Sequence, residues 1–397
     1  MPGRPLEGLI IVALEQAVAV PFATRQLADL GARVIKVERP GSGDFARGYD
    51  SKINGLSSAF AWLNRGKESV ALDIKSEDGR AALEALIGRA DVFLHNISPR
   101  AATKQGLDSE TLARSHPRLI AGSVSGYGKS GPLCDSKAYD LLVQGETGLV
   151  SLTGSEDRMA KVGISIADIA AGMYVYSSVL AALMHRNLTG EALSVDVSLF
   201  DSLVEWLAYP LYYTQHGGTA PRRMGVSHAT IAPYGAFSTR EGHQVLLAVQ
   251  NDSEWRRFCL RILGDALLAE DPRFNSHEQR IQNRTELDDI VTRRIAMINR
   301  DDLLAQLGAA EIAHSRLNTL DQLATHEQIV ERNRWIPTES PQGNFQTLLP
   351  PWVPQGHDLD YGRIPAVGED TEAICNWLGI DADALTLNVP NRKVRTA

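Results

Sequence analysis

Cysteine is scarce: Cys134, Cys259 and Cys375 are the three in 397 residues, far apart and without a CxxC pair. That spacing encodes neither a disulfide framework nor a zinc knuckle. The three are read instead as small buried apolar side chains. No HExxH occurs, since His277-Glu278 and His326-Glu327 each lack a second histidine at the required spacing, so no metal is expected. No GxSxG elbow is present, which leaves a serine hydrolase without support. Long Lys/Arg runs are missing and the formal net charge is −8, so a nucleic-acid partner is not expected. The apolar run LIIVALEQAVAV is broken by Glu15 and has no basic flank. Neither a signal peptide nor a run of membrane-spanning length is read, and a cytoplasmic protein with no membrane partner is expected.

What is present reads as an ordinary globular chain, with 44% apolar and 22% charged residues. The first hundred residues alternate short β-type runs (LIIVAL, ARVIKVE, SVALDI, DVFLHN) with helical periods (PFATRQLADLG, GRAALEALIGRA). This alternation predicts βαβ units and a parallel sheet. Gly31 is placed to stop the first helix and Ser76 to start another. The α/β domain is predicted over 1–215, and the Gly/Pro-rich connector HGGTAPRRMGVSHATIAPYG opens a smaller α+β domain over 216–330. Within it, GAFSTREGHQVLLAV reads as a hairpin turning at Glu241-Gly242. A Pro-rich segment, 331–397, is expected to return to the large domain and to end in a short helix capped by Gly379.

Asp168 stands in the almost uncharged stretch KVGISIADIAAGMYVYSSVLAALMHR. A carboxylate there must be paired, cap a helix, or do chemistry. Capping is the plainer reading, and a nucleophile set among N–H donors at a helix start is the sharper one. GYGKSG, Gly126 to Gly131, fits GxGxxG, but Pro132 follows and no helix opens there, so neither a dinucleotide turn nor a P-loop is inferred. A glycine loop over a ligand is the functional alternative to a plain turn. Asn96 ends a β-type run, where α/β sheets bind ligands.

The segments LADLGARVIKVERPGSGDFAR, LNRGKESVALDIK, ADVFLHN, GSVSGYGKSGP, AYDLLVQGETGL, Asp168 and SLFD occur in an order and spacing that resemble the class III CoA-transferases. These are the CaiB/BaiF type, the family of formyl-CoA transferase and the carnitine and bile-acid CoA-transferases. The resemblance implies a Rossmann-like large domain and an interlocked homodimer. It implies Asp168 as a nucleophile that passes through an aspartyl-CoA thioester. It also implies CoA or acyl-CoA as substrate, with no prosthetic group. By position it assigns CoA contacts to Arg39, Leu72, Asn96, Lys104, Lys137 and Tyr139. The related α-methylacyl-CoA racemases carry a catalytic histidine where this chain has Tyr139, so racemisation is not expected. Retention of Asp168 in its full motif speaks against an inert CoA-binding protein.

Val18 stands where formyl-CoA transferase has glutamine, and no run of glycines occurs near Asn251-Asp252. An oxalate and formate pairing is therefore not expected. The segment LEQAVAVPFATRQLADLG reads most like the branch that uses succinate, itaconate, mesaconate or citramalate. Arg222 and Arg223 are candidates to clamp a second carboxylate.

Overall fold

The computed structural model describes residues 4–353 and 360–382. The chain divides into two compact units, one of residues 1–147, 162–208 and 333–397, the other of 148–161 and 209–332. Residues 354–359 and 383–397 of the segment predicted to return lie outside the described residues.

The first unit is built on β1 (Ile10–Leu14), β2 (Arg33–Glu38), β3 (Lys67–Ala71), β4 (Val92–His95), β5 (Ile120–Ser125) and β6 (Val195–Ser198). They form one all-parallel sheet in the order β3-β2-β1-β4-β5-β6. Runs such as IIVAL and VFLH are apolar at nearly every position because both faces of such a sheet are covered. The covering helices include α1 (Ala19–Asp29), α2 (Ser58–Asn64), α3 (Glu77–Ile87), α4 (Pro99–Gln105), α5 (Ser109–Ser115) and α6 (Asp140–Glu146). Gly31, with φ of 99°, follows α1 as expected, and the Ser76 hydroxyl accepts from Gly79 N at the start of α3. Chain order reverses between β1 and β4, and at such a switch point the loops diverge to leave a crevice at the carboxyl edge.

In chain order α7 (Leu149–Leu152), in the second unit, precedes α8 (Ile166–Thr189) in the first. The expectation that no segment approaches membrane-spanning length needs correction. By length and composition alone α8 qualifies, with a mean hydropathy of 1.5 over 18 residues. Its charges sit near its ends at Asp168 and Arg186, and tyrosine and serine interrupt the run that sequence inspection counts. One face of α8 packs on α1. A Cβ at Gly172 would lie 2.6 Å from the Ala19 carbonyl oxygen and 3.0 Å from the Phe22 ring, so only glycine permits this approach. Gly172→Ala should therefore destabilise the protein by about 1–3 kcal/mol in denaturant unfolding, by forcing the two helices apart. Farther along α8, buried Arg186 donates to the carbonyls of Asp91 and Arg118 and pairs with the Asp91 carboxylate at 2.9 Å. These contacts fix the helix that carries Asp168.

The second unit holds an antiparallel sheet of β7 (Tyr234–Ser238), β8 (Gln244–Ala248) and β9 (Ala313–Arg316). The β7–β8 hairpin turns through Gly242, with φ of 80°, where the sequence places it. Trp255, Phe258, Phe274, Leu287 and Val291 fill its core. In the first unit, β10 (Trp335–Thr338) and β11 (Phe345–Leu348) pair antiparallel. The closing helix Thr371–Leu378 lies by the edge strand β3, where Asp370 and Thr371 side chains accept from Ser69 N and Ala71 N. Gly379, with φ of 77°, ends it.

Candidate active site

A cleft of about 720 Å³ opens at the carboxyl ends of β1, β2 and β3, a volume suited to a large organic ligand. Arg39, Pro40, Ser42 and Gly43 form one lip, Leu72 and Lys75 belong to the loop after β3, and Gln16 lies after β1. Arg39 and Lys75 are the cations on this wall. Its acids are largely spoken for: Glu38 is held by Arg47 at 2.6 Å and accepts from the Ser69 hydroxyl at 2.8 Å. Burial favours the protonated form of Glu38, but Arg47 and Lys36 outweigh it and keep its pKa below the usual carboxylate range.

The floor of the cleft turns through Gln16 and Ala17. Ala17 has φ of 60°, a left-handed conformation that costs a non-glycine residue about 1–2 kcal/mol. Such strain persists only where surrounding contacts over-determine it. Here they do. Asn96 bonds Gln16 in both directions, accepting from its N–H at 3.0 Å and donating to its carbonyl at 2.7 Å, while Asp44 accepts from Ala17 N at 3.1 Å. Glu15, which breaks the first apolar run of the sequence, is buried and accepts from Lys67 Nζ at 2.6 Å and Thr24 Oγ1 at 2.7 Å. Burial first, and repulsion from Lys36 next, push Lys67 down to about 7 against the pull of Glu15.

Asp168 lies in the first turn of α8 and does not cap it. Ser165 holds the cap position without a side-chain bond to the helix. The exposed N–H groups are taken instead by Asp140, whose Oδ1 accepts from Ala167 N at 2.7 Å and Asp168 N at 3.4 Å. Gln144 donates to the other Asp140 oxygen at 2.6 Å and accepts from Val162 N at 3.0 Å, bracing the approach to the helix. The Asp168 carboxyl makes no side-chain hydrogen bond among the described residues. Burial, with the Asp140 carboxylate as second cause, pushes its pKa up to about 7. A carboxyl poised near neutrality without an ion-pair partner suits nucleophilic chemistry.

The assigned CoA contacts fall into three groups. Arg39 and Leu72 line the cleft, and Asn96 acts on it by clamping Gln16. Lys104 is exposed on α4, beside Gln105, which lines the cleft. Lys137 and Tyr139 are exposed on the loop leading to Asp140, with Tyr139 67% accessible. In the second unit, all the guanidinium nitrogens of Arg223 donate to backbone carbonyls, those of Ser151, Ser155 and Glu156. Arg222 stays exposed, 4.0 Å from Glu156. The lysine of GYGKSG is consumed by an ion pair to Asp196 at 2.6 Å, and Gly126 is required because a Cβ there would meet Ala138 Cβ at 2.2 Å. That loop is explained by packing.

Two residues escaped the sequence reading. Lys75 needed only its place three positions after Leu72 on the same loop. Tyr49 gave no local signal: burial first, then the charges of Asp44, Asp168 and Tyr139, raise its pKa. Among the described residues no group of three or more His, Cys, Asp or Glu is arranged to hold a metal.

Comparison with known proteins gives this geometry a context. The chain is similar to the succinate–glutarate CoA-transferase of Agrobacterium fabrum, 34% identical over 384 residues, 93% of this chain and 95% of that one. It is also similar to the acetyl-CoA:oxalate CoA-transferase of Acetobacter aceti, 36% identical over 72% of this chain and 74% of that one. A crystal structure of a CaiB/BaiF family protein from Brucella suis superposes with a TM-score of 0.82 at 34% identity, covering 95% of this chain and 100% of that chain. The family model for CoA-transferase family III matches residues 6–371, and the chain belongs to that family of enzymes.

Proposed function

We propose that this enzyme moves CoA between an acyl-CoA and a small dicarboxylic acid, with Asp168 as the covalent relay. The observation that carries the reading is the Asp168 carboxyl, free of side-chain partners and raised to about 7, in the first turn of a helix braced by Asp140. The Asp168 carboxylate attacks the thioester carbonyl, and the C–S bond breaks to give a mixed anhydride and CoA thiolate. The thiolate attacks the aspartyl carbonyl, releasing the donor acid and leaving an aspartyl-CoA thioester. An acceptor carboxylate attacks that carbonyl, giving a second anhydride and thiolate again. Thiolate attack on the new acyl carbonyl releases acyl-CoA and restores Asp168. Each step exchanges one activated acyl bond for another, which splits one difficult exchange into easier covalent steps.

CoA is assigned to the cleft above β1–β3, with Arg39 and Lys75 on its phosphates and Leu72 against the adenosine. Lys104, Lys137 and Tyr139 are assigned along the path to Asp168. Arg39→Ala should raise the KM for acyl-CoA roughly tenfold and leave the KM for the acid unchanged in initial-rate assays, as loss of one charge-assisted phosphate contact predicts. The dicarboxylate assignment draws on the relatives that act on succinate, glutarate and oxalate by name, and of the two arginines Arg222 has the guanidinium to offer. Exposed Leu141, Leu142, Met184, Leu188 and Trp206 in the first unit support a homodimer, read as twice 43.3 kDa by light scattering.

The test is a panel of short carboxylic acids incubated with succinyl-CoA, new thioesters being read by mass. Transfer to dicarboxylates of two to six carbons, with monocarboxylates at least tenfold slower, is the expected outcome. Equal transfer to acetate and butyrate removes the dicarboxylate assignment, and no transfer to any acid removes the reading.

A further inference from the structure

Beneath the cleft, and unused by the chemistry above, runs a chain of buried charges. Lys36 and Asp44 pair at 2.8 Å with neither side chain accessible, and Glu15 and Lys67 pair at 2.6 Å, likewise inaccessible. Charges so placed are costly to desolvate, and their mutual contacts must be read for what they fix rather than for net stability. Burial works against the Lys36 ammonium, yet Glu15, Asp44 and Glu38 outweigh it and hold it charged.

The contacts converge on one turn. Lys36 Nζ donates to the Glu15 carbonyl at 3.3 Å, just before Gln16, and Asp44 Oδ1 accepts from Ala17 N at 3.1 Å, just after it. The same Asp44 oxygen accepts from Ala46 N at 2.9 Å, and Asp44 N donates to Glu38 Oε2 at 2.8 Å. One carboxylate therefore joins the strained floor of the cleft to the lip that carries Arg39, Pro40, Ser42 and Gly43. Removing it would free Ala17 to leave its left-handed conformation and let floor and lip move apart.

We propose that Asp44 is a positioning residue for the CoA cleft, holding its floor and its lip in register through Ala17 N and Ala46 N. The proposal rests on the assignment of CoA to this cleft. Two double variants test it, Lys36→Met/Asp44→Asn and Lys36→Met/Asp44→Leu. They are alike in charge and in γ-branched shape, and differ chiefly in whether side chain 44 can accept from the two amides. This design avoids leaving one buried charge unpaired, the commonest reason for such a variant to fail to fold.

The Asn double variant should bind CoA within about threefold of wild type by equilibrium dialysis, and the Leu variant at least roughly tenfold more weakly, as misplacement of a binding wall predicts. The KM for acyl-CoA should move in step, with the KM for the acid unchanged. Equal CoA affinities for the two folded variants overturn the positioning role, however their melting temperatures differ. Leu72→Asp separates the two ideas. If it weakens CoA binding while the double variants bind alike, only the role of Asp44 falls. If it leaves CoA binding intact, the cleft assignment falls and the positioning role with it.

Discussion

Asp168→Ala should lose turnover by on the order of 10⁴-fold while binding CoA within about threefold of wild type, because removal of a covalent nucleophile abolishes the pathway and not the binding site. The two proposed roles fall on different elements. CoA is assigned to walls built by β1, β2, β3 and their loops, and Asp168 lies on α8. Alanine at an N-terminal helix position keeps the helix, whose free amides are held by Asp140 rather than by Asp168 itself. Asp168→Asn should fall almost as far, since an amide matches the shape and lacks the nucleophilic oxygen. Incubating wild type with acyl-CoA and trapping with hydroxylamine or borohydride should modify one peptide, that spanning residue 168. A modified peptide elsewhere, or an alanine variant that turns over at the wild-type rate, would mean that another group carries the acyl chemistry.

Much of the first unit was legible in the sequence because its signals are local. Strands buried on both faces read as continuous apolar runs, and Gly31, Ser76, Gly242 and Gly379 stand where the backbone turns or a helix begins or ends. The site was legible in a different way. Asp168 is conspicuous by the absence of charge around it, whereas its neighbours are brought in from distant segments. Asp140 reaches the start of α8 across 27 residues, and Asn96 reaches Gln16 across 80. No spacing rule connects such pairs. The capping reading of Asp168 failed for the same reason, since a side chain from another helix had already taken the amides. Lys36 and Glu38, within a run read only as β-type, and Lys67, just before another, are buried because their counter-charges arrive from other segments. In the glycine loop partners from distant segments are again at work. A motif that resembles a nucleotide turn is satisfied here by an ion pair to Asp196 and by contact with Ala138.

With Asp168 as the proposed nucleophile, the pH dependence of the reaction should follow from how that carboxyl is held. Its pKa rises from 3.8 to about 7, first through burial and then through the Asp140 carboxylate. Only the ionised form attacks a thioester, so kcat/KM for acyl-CoA should fall tenfold per unit below pH about 7, reaching roughly a hundredfold loss at pH 5. The same shift acts on stability with the opposite sign. Between pH 3.8 and about 7 the folded protein binds this proton and the unfolded chain does not, so the contribution of Asp168 to stability is complete below that window and is lost as pH rises through it. Asp140→Asn distinguishes the two causes. Asparagine still offers an oxygen to Ala167 N and Asp168 N and removes the neighbouring charge, at the loss of the bond that Gln144 Nε2 donates to the second Asp140 oxygen. The acid limb should then move to lower pH, and the variant should retain a larger share of its plateau rate at pH 5 than wild type does. Asp140→Ala removes both the charge and the amide contacts, so its limb should move the same way while its plateau rate falls. A limb that stays near 7 in Asp140→Asn would assign the whole shift to burial. A wild-type profile flat from pH 5 to 8 would mean that ionisation of Asp168 does not limit the attack.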